Sequence, residues 1–156
     1  MVLELSDLLS PEAVQGNLRS ASKKRVLLDL AALAAEAYGL AEADVFSAVQ
    51  DREHLGPTGM GRGIAIPHAR LDGLSRVVGC FARLARPVDY ESVDGQPVDL
   101  VFLLLAPRDS GAEHLKALAR VSRLLRDPTV CEKLRSTEDP QALYAILTEP
   151  AASQAA

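Results

Sequence analysis

Apolar residues recur along this chain either at helical spacing or in short unbroken runs, and the two patterns divide it into elements. Val26, Leu30, Leu33 and Ala37 share one helical face, with Gly39 placed as a C-terminal stop. They predict a first helix after Ser20. Val45, Phe46 and Val49 give the inner face of a second, over Glu42 to about Arg52. A third carries Leu115, Leu118, Val121 and Leu125, and the S-x-x-E spacing from Ser110 to Glu113 reads as its capping box, with Ser110 at the N-cap. Asp127-Pro128 and Asp139-Pro140 each pair an N-cap residue with a proline suited to the first helical position, which predicts two more helices.

Ser6 is placed to cap a single turn through Leu9, and Val14–Leu18 follows as a short strand. Ile64–Ile66 and Val77–Leu84 read as strands, the second closed by Pro87. "GQPVDLVFLLLAP" is a continuous apolar run ending at Pro107, the pattern of a central strand buried on both faces. The order is strand, two helices, three strands, three helices. It predicts an α/β fold, a small mixed sheet with helices on both faces. Strict βαβ alternation is missing, which argues against a dinucleotide-binding fold.

The chain has 156 residues, 48% hydrophobic and 24% charged, as expected of one globular domain with a single core. A net charge of −4 argues against a general nucleic-acid binder. Lys23-Lys24-Arg25 is the nearest thing to a basic run, and a solvated helix end is the expected reading. "MVLELSDLLS" carries two acids and no basic cluster, so no signal peptide is expected. No apolar stretch approaches the roughly 20 residues of a membrane span, so no direct membrane insertion is expected either. Cys80 and Cys131 have no paired spacing and read as buried apolar residues of a reducing, cytoplasmic compartment. The tail, 149–156, is expected to fray.

The candidate chemistry centres on "GRGIAIPHAR". The preceding "GPTGMGRG" lacks the Gly-Lys-Ser/Thr of a nucleotide loop and stands between a helix and a strand, the reverse of the dinucleotide motif. Alone it reads as readily as a flexible connection. Pro67 holds Ile66 extended, so His68 is expected to project from a rigid strand end. A neutral imidazole there offers one nitrogen as a nucleophile; a structural histidine hydrogen-bonded at a strand terminus is the alternative. With Ser110 as cap, His114 would be the fourth residue of its helix, where the dipole disfavours its protonation. A packing role remains open for it too. Two histidines without local cysteine or carboxylate spacing do not make a zinc site, and no metal or cofactor is expected. His54 reads as surface.

"REHLGPTGMGRGIAIPHARL" resembles the active-site signature of phosphotransferase-system (PTS) enzyme IIA proteins of the fructose, mannitol and nitrogen-regulatory class. The likeness extends to "SASKKRVLLDLAALAAE", "DGQPVDLVFLLLAP" and "EHLKALARVSRLLRD", and spans about residues 5 to 148 as one domain. It implies a three-layer α/β/α sandwich of the enzyme IIA type 2 kind and a phosphotransferase activity. The phosphorylated histidine falls on His68, a second active-site histidine on His114 and an active-site arginine on Arg52. Thr58, Gly59, Gly61, Gly63 and Pro67 would support the loop, the glycines letting backbone N–H groups approach phosphoryl oxygens. The resemblance implies a histidine-containing phosphocarrier protein as donor to Nε2 of His68. The combination "GMGRGIAIPHARL" with "DGQPVDLVFLLLAP" is most similar to the nitrogen-regulatory branch, in which phosphorylation state is read by target proteins. The chain ends just after the enzyme IIA unit, whereas sugar-specific forms are often fused to further domains. A sugar-transport component handing phosphate to an enzyme IIB is the second reading, and a binding module that carries no phosphate the third. Ala69 stands where glycine is expected after the Pro-His pair.

Overall fold

The structure is a computed structural model describing residues 3–150; residues 1–2 and 151–156, most of the tail expected to fray, lie outside the described residues. Its strands are β1 (Leu9–Leu18), β2 (Gly59–Gly61), β3 (Ile64–Ala65), β4 (His68–Leu71), β5 (Val78–Val88) and β6 (Val98–Pro107). The helices are α1 (Lys23–Tyr38), α2 (Glu42–His54), α3 (Ala112–Leu125), α4 (Pro128–Arg135) and α5 (Pro140–Leu147). The strands form one mixed sheet in the order β1-β5-β6-β3-β2, with β4 also paired to β6. β5 and β6 run antiparallel, while β1 is parallel to β5 and both β3 and β4 are parallel to β6.

β6 is the central strand the apolar run predicts. Every residue of Val98–Pro107 except Asp99 is buried, so both faces of the sheet are covered. Burying each Val, Leu or Phe is worth roughly 1.5–3 kcal/mol, against about 1 kcal/mol for a helix cap, so β6 organises the core. α1 and α2 pack on each other and on the sheet; α3, α4 and α5 pack in succession and meet it at β6 and β1.

Several elements differ from expectation. The sheet has six strands among the described residues where four were expected. β1 starts at Leu9, with irregular register against β5 between Leu9 and Val14, which erases the alternation a strand normally shows. The preceding 3-10 turn, Leu5–Asp7, is closed from Glu4, whose N–H donates to Asp7 Oδ2 at 3.0 Å; Ser6 lies inside it. β5 continues through Pro87 to Val88. Its pairing with β1 ends at Leu84, and its register against β6 shifts after Arg83, so the missing N–H of Pro87 breaks no ladder bond.

Ser110 does not cap α3. Gly111 takes the N-cap at φ 55°, a left-handed conformation that favours glycine, and the Ser110 hydroxyl is buried without a hydrogen-bond partner. His114 is therefore the third residue of α3, not the fourth. Leu115 points out, 62% exposed, and the inner face runs His114, Ala117, Val121, Leu124 and Leu125. The other caps behave as their residues suggest. Ser22 accepts from Arg25 N, Asp127 from Thr129 N and Asp139 from Gln141 N, while Gly39 ends α1 at φ 67°. Cys80 and Cys131 are both buried and free.

Candidate active site

β3 and β4 continue one another along β6. Ile64 lies opposite Leu100 and His68 opposite Leu104, the same register on both sides of a break at Ile66 and Pro67. Pro67 lacks an N–H, but its carbonyl accepts from Leu104 N at 2.9 Å and keeps the line straight. His68 thus opens a strand in the sheet and does not end one. Ala69 is buried opposite Leu105 in ordinary extended backbone, so no positive φ there calls for glycine.

The imidazole of His68 has a fixed tautomer. Its Nδ1 lies 2.9 Å from the Ile66 carbonyl oxygen, which can only accept, so Nδ1 carries the proton and Nε2 keeps its lone pair. Burial holds the pKa of His68 below its ordinary 6.5, helped by the Arg52 guanidinium and opposed by the Ile66 bond and Glu53. The His114 ring lies 5.6 Å from that of His68, centroid to centroid, tilted by 58°. Burial lowers its pKa as well, with His68 and Arg70 adding to the effect. His114 Nδ1 is buried without a partner. An orphaned N–H is the costlier of its two options, which favours the proton on Nε2.

Arg52 sits near the end of α2, and its Nη1 donates to the Gly56 carbonyl at 2.9 Å. Arg52, Thr58, Gly59 and His68 line one cavity of about 250 Å³, with Met60, Ile66, Leu118 and Ser122 also in its wall. Gly61 and Gly63 lie outside that cavity. They turn the β2–β3 hairpin at φ 91° and 82°. A Cβ on Gly63 would meet Arg135 Nη2 at 2.6 Å and Asp99 Oδ1 at 2.9 Å, and one on Gly59 would meet Ser92 Cβ at 2.9 Å. Neighbouring side chains thus also leave no room for a Cβ at Gly59 or Gly63. His54 is exposed. No cluster of three or more His, Cys, Asp or Glu with metal-binding geometry occurs among the described residues.

Sequence reasoning misses a buried acid beside the cavity. The Glu53 side chain is 3% exposed and pairs with Lys23 Nζ at 2.9 Å; Thr58 N–H and Tyr90 O–H also donate to it, at 3.2 Å each. Lys23 is therefore no solvated helix end, although Lys24 and Arg25 are exposed. One signal was available. Glu53 continues the buried positions Val45 and Val49 of α2 at intervals of four, and a carboxylate on an apolar stripe needs a partner.

Residues 7–149 match the family model described as "Phosphoenolpyruvate-dependent sugar phosphotransferase system, EIIA 2". The chain belongs to this family. Its likeness to individual members covers nearly its whole length. It is 54% identical to a nitrogen regulatory protein of Bradyrhizobium diazoefficiens over 98% of this chain and all of the relative. It is 41% identical to the one of Escherichia coli K12, over 94% and 91%. A fructose-specific EIIA component of Haloferax volcanii is 34% identical, over 95% and 97%. Among solved structures, the nitrogen regulatory protein IIA-Ntr of Neisseria meningitidis superposes with a TM-score of 0.86 at 34% identity, covering 92% of this chain and 99% of that one. The mannitol enzyme IIA of Escherichia coli, solved in complex with phosphorylated enzyme IIB, shares the fold at a TM-score of 0.76 and 21% identity, covering 90% and 98%. The PTS enzyme IIA fold thus carries the α/β/α arrangement, and membership brings a general role in phosphotransfer. No helix among the described residues is long and apolar enough to cross a membrane.

Proposed function

We propose that this enzyme IIA protein accepts a phosphoryl group on Nε2 of His68 from a histidine-containing phosphocarrier protein, and that its phosphorylation state is a regulatory signal. The observation that carries the reading is the hydrogen bond from His68 Nδ1 to the Ile66 carbonyl, which leaves Nε2 as the nucleophile. In the transfer, the Nε2 lone pair forms the new P–N bond while the donor's P–N bond breaks and its electron pair returns to the donor imidazole. Positive charge that develops on the His68 ring is shared with the Ile66 carbonyl through Nδ1–H.

Phosphoryl transfer asks a protein mainly for positioning and for donors around the phosphoryl oxygens. Arg52 keeps guanidinium N–H groups beyond the one given to Gly56, and His114 with its proton on Nε2 is a neutral donor. Both act as stabilisers and neither carries the phosphate. The nitrogen-regulatory role is supported by relatives of that name that match this chain end to end. The fructose-specific Haloferax relative favours a second reading, delivery of phosphate to an enzyme IIB during sugar uptake.

The test is incubation with phosphoenolpyruvate, enzyme I and the phosphocarrier protein, followed by intact-mass analysis before and after acid treatment. One acid-labile phosphoryl group, absent in His68→Ala, is expected. Labelling of His68→Ala at the wild-type level refutes the assignment. Rapid loss of the label to an enzyme IIB plus sugar would favour the transport reading over the regulatory one.

A further inference from the structure

Hydrogen bonds run from the buried carboxylate of Glu53 to the nucleophile. Lys23 Nζ pairs with Glu53 Oε2 at 2.9 Å, and the Thr58 N–H donates to the same oxygen at 3.2 Å. The Thr58 hydroxyl donates to Glu53 Oε1, as does the Tyr90 hydroxyl. The Thr58 carbonyl accepts from Ile66 N at 3.1 Å, and the Ile66 carbonyl accepts from His68 Nδ1 at 2.9 Å. One side chain therefore holds the residue that holds the residue that sets the His68 tautomer.

The same glutamate shapes the seat of Arg52. Its backbone carbonyl accepts from Gly56 N at 3.1 Å, and the Gly56 carbonyl in turn accepts from Arg52 Nη1 at 2.9 Å. The turn from Glu53 to Thr58 is thus closed by Glu53 twice, once through its main chain and once through its carboxylate. Burial of a carboxylate is costly unless it is paired and fully hydrogen-bonded, and a satisfied network of this kind restricts the backbone around it to one arrangement. Lys23 supplies the charge, and its ammonium also lies 4.6 Å from the centre of the Tyr90 ring.

We propose that Glu53, braced by Lys23 and Tyr90, is a positioning residue for phosphoryl transfer, aiming both the His68 imidazole and the Arg52 guanidinium through the Glu53–Thr58 turn. The inference rests on His68 being the acceptor. Glu53 itself touches neither the phosphoryl group nor the cavity, so its removal acts on geometry. A displacement of the order of 1 Å at a reacting group can cost about a hundredfold in rate.

Two readouts test it on the full chain. In Glu53→Ala, transfer from the phosphocarrier protein at saturating donor should fall about tenfold or more, with the KM for the donor within about twofold of wild type. The 15N spectrum of the unphosphorylated variant should show His68 losing its single tautomer, protonated at Nδ1. The pair Lys23→Met with Glu53→Gln keeps an acceptor for the Thr58 N–H and leaves no lone charge. It should restore both the tautomer and most of the rate. Glu91→Gln, which removes only the exposed second partner of Lys23, should change neither. A folded Glu53→Ala protein with wild-type rate and wild-type His68 signals overturns the proposal. If that variant fails to fold, Glu53→Gln alone carries the test. It leaves Lys23 without its buried carboxylate partner, with only the exposed Glu91 at 3.5 Å, and unchanged His68 signals with an unchanged rate would equally overturn the brace. The tautomer is read without any phosphoryl donor, so failure of wild type to be labelled would count against the function and not against the brace.

Discussion

Arg52 holds one loop carbonyl with one guanidinium nitrogen, and in the proposed function the rest of its planar fork takes the phosphoryl oxygens. Lysine offers a single point of charge and cannot do both. Arg52→Lys is accordingly expected to fold and to transfer about tenfold more slowly; a rate equal to wild type would remove the clamp from the account. His114→Ala should still be labelled, with transfer slowed by up to about a hundredfold, the scale of losing one preorganised donor. Equal rates in both directions would leave His114 a packing residue. Both histidines also link function to stability. Burial first, and then neighbouring positive groups, holds each below the ordinary 6.5 in the folded protein. The unfolded chain therefore takes up protons first as pH falls, and this contribution to stability is lost from about pH 6.5 downward. Replacing both His68 and His114 by glutamine should flatten the slope of unfolding free energy between about pH 6.5 and 5. Parallel curves for the variant and wild type would contradict the shifts.

Helix starts separate two kinds of serine. Ser22 accepts from Arg25 N at 3.1 Å, whereas the Ser110 hydroxyl is buried and accepts from no backbone N–H of α3. Ser22→Ala should cost about 1 kcal/mol in chemical denaturation, and Ser110→Ala should cost nothing or stabilise slightly, because it deletes an unsatisfied polar group. A loss at Ser110 as large as at Ser22 would mean that α3 is capped as its S-x-x-E spacing suggests. The contrast also shows where a sequence is legible. Asp127-Pro128 and Asp139-Pro140 were readable because cap and proline act on their own backbone. Ser110 misled because Gly111, next to it, can adopt a positive φ that moves the cap by one residue, and the spacing to Glu113 is blind to that. β6 was readable from its own apolar run. β4 was not, because His68–Leu71 is a strand only through its register with β6. At the candidate site, pattern and resemblance singled out His68 and His114, and the resemblance alone singled out Arg52. The brace was not legible, because Lys23 and Glu53 lie thirty residues apart, and although Glu53 falls on the buried stripe of α2, no local pattern names Lys23 as its partner.

Across the whole molecule, the candidate site is a rigid place on a buried sheet. His68 is paired to β6 on one side, and Glu53, Thr58 and Ile66 support it on the other. Phosphorylation would place nearly two negative charges on the phosphoryl oxygens, by analogy with the roughly −1.5 to −2 of other phosphorylated side chains, offset in part by the positive charge of the Nδ1-protonated ring. Moving a core strand is costly, so the added charge should change the surface potential and leave the backbone in place. Amide NMR shifts on phosphorylation are expected to cluster around His68, Arg52 and His114; widespread shifts through the helices after Asp127 would indicate a change of fold instead. A partner presenting apolar and acidic groups to His68 would then dock on the free form and be repelled by the phosphorylated one. All of this depends on which atom receives the phosphate. The most direct measurement is 15N NMR of the histidine-labelled, phosphorylated protein. The account predicts phosphorus coupling to Nε2 of His68 alone, with Nδ1 still protonated on the Ile66 carbonyl. Phosphorus on Nδ1, on His114 or on His54 would contradict it.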